Sequence, residues 1–119
     1  IGDAVLFVAD TPEIGAEVAL NLSSSIEKAA DVPPVRIGMV WGRLLSRFGD
    51  VFGPPVNLAA RLTDIAEPGT ILVDQPTADE LIKVKQSTGK DFVLETLPER
   101  EIRGIGTLAP VRLSQRDGL

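Results

Sequence analysis

Two periodicities take turns along this chain. The run Ala4–Ala9 is wholly apolar and too short for a helix, so it predicts a strand buried on both faces. Thr11-Pro12-Glu13 then supplies an N-cap, a proline for the first helical position and an acid for the positive end of the helix dipole. Ile14, Val18, Leu22, Ile26 and Ala29 recur at helical spacing and predict a single apolar stripe, with Ser23–Ser25 on a solvated face. Pro33-Pro34 ends that helix and its exit loop. Val35, Ile37, Met39 and Trp41 alternate with Arg36, Gly38 and Val40, a period of two that marks a strand. Gly42 permits a bend into a return strand over Arg43–Arg47, followed by a turn at Gly49-Asp50.

Pro54-Pro55 reads as a helix start, because a proline in the first turn removes an N–H that has no intrahelical partner. Leu58, Leu62 and Ile65 give that helix its apolar stripe, and Glu67-Pro68-Gly69 stops it. Thr70–Val73 predicts another short strand, and Asp74 caps a helix running from Gln75-Pro76 through Leu81 and Ile82 toward Lys85. Ser87–Lys90 reads as a loop. Strands are expected at Phe92–Glu95, Glu101–Arg103 and Val111–Leu113, with Gly104 and Gly106 bracketing a turn and the last five residues frayed. Strands and helices alternate, which places the chain in the α/β or α+β class with a sheet covered on one face.

Composition narrows the chemistry. The 119 residues suit a single domain, 44% hydrophobic and 24% charged. No apolar run reaches membrane-spanning length and no secretory pattern is present, so a cytoplasmic location is expected. A net charge of −5 argues against a general nucleic-acid surface. Cysteine and histidine are both absent, which excludes a disulfide-linked partner, thiol nucleophiles, a Ser-His-Asp triad and imidazole zinc sites. Carboxylates, Arg, Lys, Asn and hard metal ions remain, a set suited to phosphoryl or nucleotidyl transfer. The first residue is not methionine and the chain starts almost within a core strand, so a fragment is expected.

Asn57 and Arg61 are the polar residues of most interest. Four apart on the Pro54 helix, they share a face about one turn from each other, an amide and a guanidinium suited to an anion. Alone, such a pair is more often a merely wet helix face. Their context carries more. Gly49-Asp50-Val51-Phe52-Gly53-Pro54-Pro55-Val56-Asn57-Leu58-Ala59-Ala60-Arg61-Leu62 resembles the signature of the class III nucleotidyl cyclases: acid, aliphatic, aromatic, Gly, two variable residues, Val-Asn, small residues, then Arg. Ile1-Gly2-Asp3-Ala4 resembles the family's metal-binding hairpin turn, and Ile102-Arg103-Gly104-Ile105-Gly106 its late basic-Gly segment. The three matches come in family order and together cover essentially the whole chain.

The resemblance implies a ferredoxin-like α+β sandwich, lacking here its first strand and two helices, and an adenylate cyclase activity. It implies two divalent ions, Mg²⁺ or Mn²⁺, with Asp3 coordinating metal that bridges the nucleotide phosphates, and that Asp50 accepts a hydrogen bond from the adenine amino group. By the same resemblance Asn57 positions the ribose, Arg61 stabilises charge at the α-phosphate, and Arg103 grips the terminal phosphates of ATP. The family usually has lysine at that last position, and Arg is not a conservative exchange for it. The family's sites lie between two subunits, so a chain carrying both kinds of residue implies a homodimer with shared sites. The family's other metal aspartate and its adenine-selecting lysine fall before Ile1, so the 119 residues alone are expected to be inactive. Two other readings stand beside the enzyme: a non-catalytic cyclase homology module for nucleotide binding or regulatory dimerisation, and a ferredoxin-like interaction domain.

Overall fold

The computed structural model describes residues 7–29, 31–42, 45–47 and 50–116. Helix α1 spans Pro12–Lys28, followed by strands β1 (Ile37–Met39), β2 (Leu45–Arg47) and β3 (Asp50–Phe52). Helix α2 (Pro54–Ile65), β4 (Ile71–Val73) and α3 (Gln75–Thr88) come next, then β5 (Phe92–Thr96), β6 (Arg100–Ile102), β7 (Gly106–Leu108) and β8 (Val111–Gln115). The main sheet has the order β1-β4-β8-β5, with β1 and β4 parallel and the other pairs antiparallel. Two hairpins, β2–β3 and β6–β7, stand apart from it. The fold is thus α+β, as expected.

The caps form as the sequence predicts. Thr11 Oγ1 accepts the Ile14 N–H at 3.1 Å, and Asp74 Oδ1 accepts the Thr77 N–H at 3.2 Å. Helix α2 has no side-chain cap; Gly53 takes its N-cap position at φ 132°, a conformation favourable only to glycine.

The sheet is covered on both faces, where one covered face was expected. Alternation along β4 explains it: Ile71 and Val73 pack into one cluster with Ala16, Ala19, Leu81 and Leu113, whereas Leu72 packs the other way with Leu62, Ala66 and Ile102. Helices α1 and α3 cover the first face, and α2 with the β6–β7 hairpin covers the second.

The apolar stripe expected on α1 is also corrected. Ile14, Val18 and Leu22 are exposed, and the helix buries Gly15, Ala16 and Ala19 instead. Small residues let the helix axis approach the sheet closely; a Cβ on Gly15 would lie 3.2 Å from Met39 Sδ. Smaller differences follow from hydrogen bonding. The strand expected from Val35 starts at Ile37, α3 runs on to Thr88, and Gly106–Leu108 pairs as a strand where only a turn was expected. Of the strand expected at Ala4–Ala9, residues 1–6 lie outside the described residues and 7–9 are not strand. No helix of the described residues is long and apolar enough to cross a membrane.

Candidate functional site

Asn57 and Arg61 lie one turn apart on α2, and both are exposed. Their presentation follows from what α2 buries. Leu62 is fully buried against Ala66, Leu72 and Ile102, with Leu58 and Ile65 packed on that cluster, which turns the Asn57/Arg61 face outward. The height of the helix over the sheet is set by Gly38 on β1. A Cβ there would come within 2.2 Å of the Ala59 carbonyl oxygen and 2.6 Å of the Thr63 nitrogen, so α2 rests on β1 backbone to backbone. Arg61 makes one ion pair, from Nη1 to Asp64 Oδ2 at 3.8 Å, with both side chains about half exposed or more. A pair that long and wet contributes little and leaves the guanidinium available to an anion.

Asp50 opens β3, in register with Arg47 across the β2–β3 hairpin. The sequence put it in a turn, whereas it pairs as a strand residue; the rest of that expected turn, residues 48–49, lies outside the described residues. The strand that Asp50 opens feeds directly into α2. Arg103 sits in the exposed turn of the β6–β7 hairpin, not on the strand expected there, since β6 ends at Ile102. Ile102 belongs to the same buried cluster as Leu62, so the residues next to Arg61 and Arg103 are packed together. The structure therefore places α2, bearing Asn57 and Arg61, and the hairpin bearing Arg103 on one face of the sheet, with β3, bearing Asp50, against α2. Asp3 lies outside the described residues.

Among the described residues no three acidic side chains cluster closely enough to hold a metal ion. A half-open groove of about 480 Å³ lies at the C-terminal end of α2, against Ile65, Leu72, Leu97 and Pro110. None of Asn57, Arg61 and Arg103 lines it. Asn57, Arg61 and Arg103 stand instead on open surface.

Two features escaped the sequence reading. The Gly38 approach looked like the polar phase of an alternating strand, with no signal to separate it from any strand glycine. Thr77 is fully buried and accepts the Trp41 N–H on its hydroxyl at 2.8 Å, a link across the fold that the Asp74-x-x-Thr77 spacing only hints at.

No family model matches the chain. Among curated proteins it is 48% identical over 118 residues to an adenylate cyclase of Glutamicibacter nicotianae, covering 99% of this chain and 28% of that protein. It is 34% identical over 139 residues to an adenylate cyclase of Streptomyces coelicolor, covering 99% of this chain and 36% of the relative. The chain thus spans roughly a third or less of these relatives. Its fold is that of the catalytic core of a rhodopsin-guanylyl cyclase with converted specificity, solved with ATPalphaS: TM-score 0.75 at 23% identity, over 96% of this chain and 64% of that one. An adenylate/guanylate cyclase/hydrolase from Silicibacter pomeroyi superposes with TM-score 0.70 at 23% identity, over 92% of this chain and 66% of its own.

Proposed function

The chain belongs to the class III nucleotidyl cyclases, and from that premise we propose that the intact protein is a cytoplasmic adenylate cyclase, converting ATP to 3′,5′-cyclic AMP and pyrophosphate. The observation that carries this reading is the outward presentation of Asn57 and Arg61, one turn apart, on a helix fed directly by the strand bearing Asp50. That relatives matched over nearly the whole chain are named adenylate cyclases supports ATP over other nucleotides.

In the proposed reaction the ribose 3′-oxygen bonds to the α-phosphorus while the α–β phosphoanhydride bond breaks. The 3′-hydroxyl proton leaves to solvent and the bond electrons depart with pyrophosphate. Asp50 accepts from the adenine amino group, which orients the base. Asn57 holds the ribose so that its 3′-oxygen faces the α-phosphate in line with the leaving group. Arg61 spreads its donors over the oxygens on which charge grows, and Arg103 neutralises the departing phosphates with a planar fork. Divalent ions, with Asp3 as one ligand, would when bound lower the pKa of the attacking hydroxyl and neutralise the leaving group. The remaining metal ligands come from outside the described residues.

The open surface around Asn57 and Arg61 supports a site walled by a second subunit. Asp3 of one protomer would face Asp50, Asn57 and Arg61 of its partner in a homodimer with two equivalent sites. The test is substitution in the intact protein. Asn57→Ala or Arg61→Ala is expected to lower kcat by on the order of 10²–10³, the loss of one transition-state donor, with binding of Mn²⁺ unchanged. A kcat equal to that of the unmutated protein would remove both residues from the reaction.

A further inference from the structure

We infer that Thr77, locked by Asp74, is a positioning residue that fixes the hairpin bearing Asp50 against the helix bearing Asn57 and Arg61; this rests on the site proposed above. The chain leaves the main sheet at the end of β1. The first amide beyond the sheet pairing with a fixed side-chain partner is Trp41, whose N–H donates to Thr77 Oγ1 at 2.8 Å. Thr77 lies in the first turn of α3 and is fully buried, and Asp74 is only 9% exposed. The hydroxyl has a single proton, and that proton is donated to Asp74 Oδ1, which also accepts the Thr77 N–H at 3.2 Å. With its proton committed to the carboxylate, the hydroxyl can present only a lone pair to Trp41. The direction of every bond in this chain of three is therefore set, and a buried carboxylate polarises the acceptor.

One residue further on, the hairpin's point of departure meets α2. A Cβ on Gly42 would lie 2.6 Å from Pro55 Cγ, so Gly42 sits directly on the first turn of that helix. Gly53 returns the chain into the same turn. The β2–β3 hairpin is thus hung between Trp41, held to α3, and the start of α2. On this inference the Trp41 amide sets where the chain leaves the sheet toward the strand bearing Asp50, while Gly38 seats α2 on β1. An N-cap aspartate alone would need neither a buried hydroxyl nor a bond across 36 residues.

The experiment uses the full-length protein with Thr77→Val, which keeps the shape and deletes the hydroxyl, and Thr77→Ser, which keeps the hydroxyl. Thr77→Val is expected to speed hydrogen exchange at the Trp41 amide by about tenfold or more, as expected for loss of a buried hydrogen bond. It should also raise KM for ATP and lower the ATP-over-GTP preference several-fold, with kcat changed by less than about twofold; Thr77→Ser should reverse all of these. Unchanged KM and preference, or unchanged exchange at Trp41, overturns the inference. If Thr77→Val does not fold, Asp74→Asn, which retains a capping acceptor, is expected to move the same readouts in the same direction by less, and no movement overturns it. Failure of the cyclase reading shows separately, as an unmutated protein that forms no cyclic nucleotide. The positioning role is then judged on Trp41 exchange and on the ratio of ATP to GTP dissociation constants.

Discussion

Asp50 shows how much a single side chain can decide. An ionised carboxylate only accepts hydrogen bonds; adenine offers an amino donor where guanine offers a carbonyl acceptor. Asparagine in its place keeps one acceptor and adds a donor that guanine can use. Asp50→Asn in the intact protein is therefore expected to lower the ratio of kcat/KM for ATP over GTP by about tenfold or more, the scale of one hydrogen bond to a charged group. Competition between the two nucleotides, with both cyclic products quantified, measures it. A ratio within about twofold of the unmutated protein would take base reading away from Asp50. Arg61 is a different case at the same scale. Its partner Asp64 is 3.8 Å away and both are well exposed, so removing Asp64 alone should leave the guanidinium free and cost little stability.

Between residues and the molecule, the elements were legible where local chemistry chooses them and obscure where packing does. Thr11, Asp74 and the paired prolines announced three helix starts, and each helix begins where those residues placed it. The face that α1 buries was not announced. Ile14, Val18 and Leu22 have the right spacing, but a helix pressed close to a sheet needs small side chains, and Gly15, Ala16 and Ala19 have no hydrophobic signal strong enough to compete. The two glycines at helix–sheet contacts give opposite expectations. Gly38→Ala drives a methyl into the backbone of α2, at 2.2 Å from the Ala59 oxygen, and is expected to destabilise by about 1–3 kcal/mol, like other overpacked cores. Gly15→Ala meets the sulfur of Met39, at 3.2 Å on a flexible side chain, and the Ala9 Cβ at an ordinary 3.7 Å, and gains up to about 1 kcal/mol of helix propensity. It should leave stability unchanged or raised. Urea midpoints at constant m separate the two. If both variants lose stability equally, the backbone seating of α2 on β1 is not what sets its height.

For the whole molecule, both the candidate site and its expected incompleteness could be read from the three motifs, because the family resemblance puts part of the metal site before Ile1 and the opposite wall in a second subunit. Asn57, Arg61 and Arg103 are exposed on open surface, the 480 Å³ groove lies elsewhere, and no acidic cluster among the described residues can hold a metal. Open surface around Asn57, Arg61 and Arg103 is what a site shared with another copy would leave exposed on a single chain. Shared sites do make a quantitative demand on mixtures of two inactive proteins. In Asp3→Ala homodimers both sites lack the metal ligand; in Arg61→Ala homodimers both lack the guanidinium. A mixed dimer gathers both lesions into one site and leaves the other intact. With random assortment half of the dimers are mixed and each has one working site of two, so an equimolar mixture of the intact-length variants should recover about a quarter of the unmutated activity. Recovery should follow the product of the two mole fractions as the mixing ratio is varied. No recovery, with mixed dimers demonstrated by differential tagging, would place Asp3 and Arg61 in the same protomer's site and overturn the shared wall.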